Sequence, residues 1–326
     1  MENIKTTLDY QTLTAFLEQE RAMNTKVESG QPKLNHLVNT LMAQKCVSHG
    51  ATRERDYFWD AAYFGMDQVG MYQAMPEEMK ILALKLLTDH NLNEAYYIEK
   101  TGMSYAAKMI LLSESEEEKA LYSSIACDEA THLYEVKNFL NPGLEATYQG
   151  NGFLKFIADT AAQGSASICQ AVLQVALEGH GMSHYANLRS GCLDPKFKEV
   201  LTRILLDEAS HHGSGVVISI NNQFSDSEKK ILTEHMIQLG ALLNCTLFPI
   251  VMVLEKLTGG LTSDQRTKVF EELNASAINA DRLKNYRKLL TISKLDEKIP
   301  STHQDQVFQS WNSQTCNQVF MQMLST

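Results

Sequence analysis

The sequence predicts an all-α protein organised around a four-helix bundle. Three observations predict it. A phrase of carboxylates and a histidine occurs twice, in the same internal register. Strand-like alternation is absent over any useful length, and only six prolines interrupt 326 residues. Helix start and stop signals divide the chain into helix-length segments.

Weakly amphipathic helices are expected near 9–25, 34–47 and 54–73. The first long bundle helix should run from Pro76 to Leu112. Ser113-Glu-Ser-Glu116 reads as the start of its partner, with a capping box. That partner should reach Leu140, where Asn141-Pro-Gly143 stops it. A third bundle helix is expected from Gly152 to Ser190. Ser190-Gly-Cys-Leu-Asp-Pro195 is a turn, and a fourth helix should follow to Asn222. Ser225-Asp-Ser-Glu228 caps a fifth long segment. Further helices follow Thr262-Ser-Asp-Gln265 and Gln304. The expected organisation is N-terminal helices over 1–75, the bundle over 76–222 and C-terminal helices over 223–326, packed as one structural domain.

The duplicated phrase carries the chemistry. The first copy is Glu99-Lys-Thr-Gly-Met-Ser104 followed by Asp128-Glu-Ala-Thr-His132. The second is Glu178-Gly-His-Gly-Met-Ser183 followed by Asp207-Glu-Ala-Ser-His211. Each residue of the second copy lies 79 positions after its counterpart. Each half thus offers one glutamate and, thirty residues later, Glu-x-x-His. Residues i and i+3 share a helix face, so Glu129 with His132, and Glu208 with His211, can address one ion each. In an antiparallel hairpin, residues equidistant from the turn lie level. The midpoint of Glu99 and Glu129 is Glu114, and that of Glu178 and Glu208 is Leu193, both inside the expected turns. Four carboxylates and two imidazoles make the ligand set of a dinuclear metal site inside a bundle. Four carboxylates also offset two divalent ions; unpaired, they would be costly to bury.

Glu94 is the rival to Glu99. It lies five residues earlier, roughly 7 Å along the axis, and its repeat counterpart is Leu173, which cannot bind metal. Asp128 and Asp207 are rotated about 100° from the chelating glutamates. They are placed to accept the outer N–H of a ligating histidine, on the partner helix, which fixes the tautomer. Gly102, Gly179 and Gly181 beside the lone glutamates fit close helix packing or a cavity equally well. Tyr96, Tyr97, Tyr105, Tyr134 and Tyr185 lie on the ligand helices, as core residues or as redox groups.

This pattern resembles the ferritin-like diiron-carboxylate superfamily over about residues 76–222, somewhat under half of the chain. The resemblance implies a ferritin-like four-helix bundle with additional N- and C-terminal helices. It implies Glu99, Glu129, His132, Glu178, Glu208 and His211 as ligands of two Fe ions, with Fe/Mn or Mn as alternatives. The activity it implies is that of an O2-dependent, monooxygenase-like diiron oxidoreductase. Such an enzyme would hydroxylate, N-oxygenate or desaturate a small organic substrate. The chain is also similar, more weakly, to the p-aminobenzoate N-oxygenase type of soluble diiron oxygenase. Those enzymes carry a further histidine one turn before the last Glu-x-x-His, where this chain has Ile204. His90, His180 and His235 are possible substitutes, and no spacing selects one. Iron handling as a ferroxidase, and a radical protein like a ribonucleotide reductase small subunit, are the alternatives. Roughly 180 residues outside the repeat core are more than storage needs.

Composition bounds the rest. A net charge of −10 and a pI near 5.5 argue against a nucleic-acid surface. Six scattered cysteines without Cys-x-x-Cys, and an N-terminus without an apolar signal core, suit a cytoplasmic protein. No dinucleotide fingerprint occurs, so electrons should come from a separate reductase or small reductant. No catalytic residue is assigned beyond the metal ligands. Residues 236–254 carry no formal charge but include Gln238, Asn244, Thr246 and Pro249. They read as a buried helix rather than a membrane span, forming a cavity wall or the interface of a homodimer.

Overall fold

The structure is a computed structural model, and it describes residues 32–46, 53–141, 151–220 and 222–324. Among the described residues there is no strand, and the fold is all-α. The helix expected over 9–25 and part of the stop at Asn141-Pro-Gly143 lie outside them. Helix α1 spans Pro32–Ala43.

The helix expected over 54–73 does not form. A 3-10 turn at Met66–Gln68 and the four-residue α2, Gly70–Gln73, take its place. Tertiary burial overrides the weak amphipathicity here. Phe58 and Trp59 are fully buried against Phe139 and Phe197. The Phe58 carbonyl accepts from Leu193 N, and Trp59 Nε1 donates to the Leu188 carbonyl. Gly65 turns the chain at φ 69°, a left-handed conformation that suits glycine.

Two long helices follow as a hairpin, α3 (Glu77–Leu112) and α4 (Glu116–Lys137). The cap of α4 is Ser115, which accepts from Glu118 N, two residues after the expected Ser113. Ser113 closes α3 instead.

The helix expected over 152–190 is not continuous. Helix α5 (Gly152–Gln163) ends at Gly164, whose backbone is extended. Ser165 then caps α6 (Ala166–Cys169). Lys108 of α3 holds the break open by donating to the carbonyls of Ala161, Ala162 and Gly164 at 2.9, 3.2 and 2.6 Å. A cation on the last carbonyls of a helix is favourable. Next comes a π-helical stretch, π1 (Gln170–Leu177), and then α7 (Glu178–Gly191). Helix α8 (Pro195–Ser219) starts on Asp194, whose Oδ1 accepts from Lys196 N and Phe197 N, with Pro195 in the first turn.

Helix α3 packs along α4, and α7 and π1 pack along α8; the two pairs meet through α4 and α8. Helix α9 (Asp226–Leu243) begins with the expected capping box on Ser225 and Glu228. It is followed by α10 (Phe248–Thr258), α11 (Ser263–Glu272), α12 (Ala275–Ile292), α13 (Ser301–Val307) and α14 (Ser313–Leu324). Thr262 and Gln265 form the capping box of α11.

Among the described residues there are two apolar cores. One fills the space between the hairpins and reaches α9 and α12. The other joins Met66 and Tyr72 to α10, α11 and α14. The uncharged segment 236–254 is bent by 45° between α9 and α10. Met236, Leu239, Leu243, Val251 and Leu254 within it are buried. Among the described residues no single helix is long and apolar enough to cross a membrane, although this bent pair passes by length and composition.

Candidate metal centre

The hairpins bring the duplicated phrases face to face. Glu99 comes from α3, Glu129 and His132 from α4, Glu178 from the start of α7, and Glu208 and His211 from α8. All but Glu178 are buried, and Glu178 is half-buried. Ligand atoms of Glu99, Glu129, His132 and Glu208 lie within 4.8 Å of one another, as do those of Glu129, Glu178 and His211. Glu129 stands in both groups. The six side chains expected from the sequence therefore form one buried cluster with two focal points.

Glu94 belongs to neither. Its Oε2 accepts from Asn151 Nδ2 at 2.8 Å and faces His90 Nε2 at 3.7 Å. His180 is likewise apart. His235 packs tilted against the Phe156 ring and bonds the Ile231 carbonyl, away from the cluster. Ile204 is fully buried among apolar residues.

The aspartates cross over between the repeats. His132 Nε2 meets Asp207 Oδ2 at 2.9 Å, and His211 Nε2 meets Asp128 Oδ2 at 3.4 Å. With Nε2–H directed to aspartate, Nδ1 of each ring is left facing the glutamates. His132 Nδ1 lies 3.1 Å from Glu99 Oε2, and His211 Nδ1 3.2 Å from Glu129 Oε1. Such an outer carboxylate orients a ligating ring and raises its basicity.

The electrostatics call for cations. Burial first, then neighbouring carboxylates, holds Glu129, Glu178 and Glu208 well above the usual carboxylate range. Burial alone would lower His132, but its bonds to Asp207 and Glu99 hold it well above 6.5. Glu178 Oε2 and His211 Nδ1 are buried without a hydrogen bond. Orphaned donor atoms of ligand type in a crowd of carboxylates fit a metal pair. Carboxylate oxygens and imidazoles are ordinary ligands of first-row transition-metal ions.

Two features escaped the sequence reading as parts of the site. Tyr185, named only among several tyrosines, is buried and donates its hydroxyl to Glu99 Oε1. It lies two turns after Glu178, on the same face, a spacing that points it inward. The π stretch that precedes Glu178 is the second. Gln174 within it accepts from Tyr105 and Tyr122 at 2.8 and 3.0 Å, and donates to the His211 carbonyl at 3.0 Å. A π turn rotates the facing of the next helical residues and is frequent at functional sites. Buried glutamines at 170 and 174 were its only trace in the sequence.

The glycines divide. At Gly102 a methyl group would overlap the Glu129 carboxylate, so this glycine makes room for the cluster. Gly179 packs against Leu289 and His212, whereas Gly181 faces open space.

That space is a cavity of about 890 Å³ whose lining includes Glu129, Glu178 and Glu208. Segment 236–254 supplies one wall, through residues such as Leu242 and Ile250. A polar group also lines it: His90, Glu94, His180, His184 and Arg282. Burial, then the neighbouring His184 and Arg282, lowers His180 to about 3; burial chiefly lowers His184 as well. Comparison with family models, with curated proteins and with solved structures returns no match.

Proposed function

We propose that the chain is a non-haem dinuclear iron oxygenase or oxidase that uses O2 on a small organic substrate. One observation carries this reading. Six ligand-type side chains, five buried and Glu178 half-buried, converge on two focal points that share Glu129, and three of their carboxylates line a large cavity. Glu99, Glu129, His132 and Glu208 would hold one ion; Glu129, Glu178 and His211 would hold the other. The bound pair supplies the redox chemistry with O2 that side chains lack. The protein's part is positional. Asp128 and Asp207 orient the imidazoles, Tyr185 holds Glu99, and the cavity keeps the substrate beside the carboxylates in a site poor in water. Electrons come from a separate reductase or small reductant.

The direct test is metal analysis followed by rapid mixing. After anaerobic iron loading the chain should bind two ions, and the reduced protein should react with O2 at a rate that a substrate changes. Saturation at one ion or none sinks the proposal. A reaction that only deposits ferric mineral, in a large hollow assembly, favours iron storage instead.

A second reading, a radical protein, has one observation in its favour. Tyr185 is buried, protonated by burial and by the Glu99 charge, and bonded to a ligand-type carboxylate. A tyrosyl radical signal that appears with oxygen and vanishes in Tyr185→Phe would select it.

A further inference from the structure

Arg282 lies on α12, outside the duplicated phrases, and lines the cavity. Its Nη1 is buried, and among the described residues the side chain forms no hydrogen bond or ion pair. A guanidinium stays charged and offers five donors in a fixed fork. Taking one out of water without a partner is costly. Glu94, whose charge acts on Arg282, is engaged by Asn151 and His90 and makes no ion pair with it. His180, His184 and Tyr63 share the surroundings of Arg282. The fold therefore keeps a charged fork open toward the same space that Glu129, Glu178 and Glu208 line.

We propose that Arg282 anchors the carboxylate of the substrate, and that the substrate is a monocarboxylic acid with an apolar body. This rests on the cavity being the substrate chamber of the metal centre. The charge count selects a carboxylate over a phosphate. One guanidinium balances one negative charge in the bidentate geometry it favours. A phosphate dianion would bring a second negative charge toward Glu94 with no further cation among the described lining residues. The remainder of the cavity suits hydrocarbon. Leu173, Leu177, Leu242, Phe248 and Ile250 line it, and its volume of about 890 Å³ takes a body well beyond the size of acetate. An acid held by its carboxylate at Arg282 would lay that body along this wall toward the carboxylate cluster.

The test is calorimetric binding to the anaerobic, iron-loaded chain. The probes are straight-chain acids of four to twelve carbons and 3-phenylpropionate, with the matching primary amides and alkyl phosphates. At least one acid should bind, and its amide and phosphate should bind roughly 10- to 100-fold more weakly, the range of a hydrogen-bonded charge. Arg282→Leu should lose the preference for acid over amide, and Arg282→Lys should retain part of it. Lys284→Met, on an exposed position of the same helix, should bind as the wild type does. Arg282→Leu should also melt no lower than wild type, because a half-buried charge without a protein partner has been removed; a structural arginine would give the opposite. Equal binding of acid and amide, tighter binding of phosphate, unchanged binding in Arg282→Leu, or no binding of any acid each overturns the proposal. Metal content is measured on the same samples. Two ions without acid binding overturns this inference alone, whereas acid binding without two ions overturns the oxygenase reading and leaves the anion site standing.

Discussion

Glu94 and Glu99 sit five positions apart on α3 and face different surroundings. Glu99 is fully buried among Glu129, His132 and Tyr185, whereas Glu94 turns to Asn151 and His90. Glu99→Ala should therefore empty or weaken one metal position, and Glu94→Ala should leave two ions bound. Metal titration of both variants decides it; loss of an ion in Glu94→Ala alone contradicts the assignment. Gly102→Ala tests the same centre by steric means. Its methyl would displace the Glu129 carboxylate, which is shared by both groups, so affinity should drop roughly 10- to 100-fold, comparable to losing a group that orients a ligand. Asp207→Asn should cost a similar factor through His132, with the helical content unchanged by circular dichroism. The six cluster residues were legible because a duplication at constant offset, combined with helical periodicity, constrains geometry. Arg282 was not legible. A lone arginine on an ordinary helix carries no spacing, and only the folded chain shows what it faces.

At the scale of elements, caps were readable and interruptions were not. Ser225 and Thr262 cap the helices expected of them, and the cap expected at Ser113 shifts by only two residues to Ser115, because a cap is a contact between near neighbours. The break at Gly164 depends on Lys108, 56 residues away, and the π stretch depends on Gln174 finding Tyr105, Tyr122 and the His211 carbonyl. Those partners belong to other helices, so the expectation of one continuous helix over 152–190 was wrong in its middle. Gln170 donates to the Tyr122 hydroxyl and Gln174 accepts from it, so both glutamines tie the stretch before Glu178 to its neighbouring helices. Gln174→Leu orphans several buried groups and should lower unfolding free energy by about 2 kcal/mol or more. A denaturant midpoint at the wild-type value would show that these bonds contribute nothing.

For the whole molecule, the carboxylate cluster links metal binding to stability. Glu129, Glu178 and Glu208 are raised above 4.5 by burial and by one another. Above pH 4.5 the unfolded chain therefore binds fewer protons than the metal-free folded chain, and stability falls as pH rises. His132, raised above 6.5, acts in the same sense: its stabilisation is present below 6.5 and is lost as pH rises through the folded value. His180, His184 and His212, all lowered from 6.5, add stability as pH rises to 6.5 and nothing beyond. From about pH 6.5 to about pH 8.5 the Tm of the metal-free chain should fall. The loaded chain, in which ions replace those protons, should hold its Tm, so the gap widens. A gap that stays constant or narrows over this window would mean the cluster is not where the metals bind.

By itself the sequence determined the all-α class, the positions of the long helices other than the third, and the six side chains that meet in the centre. These come from local rules: period, caps, and a repeat whose members keep the same distance from their turns. Tertiary structure alone decided the rest. It turned 54–73 into a loop with two short helical turns, anchored by buried Phe58 and Trp59, because the burial of those two side chains outweighed a weak helical preference. It split the third helix, paired each histidine with the other repeat's aspartate, and brought α12 across the cavity so that Arg282 faces the carboxylates' chamber. Each of those outcomes rests on contacts between residues far apart in the chain, and no local pattern encodes which distant surface a helix will meet.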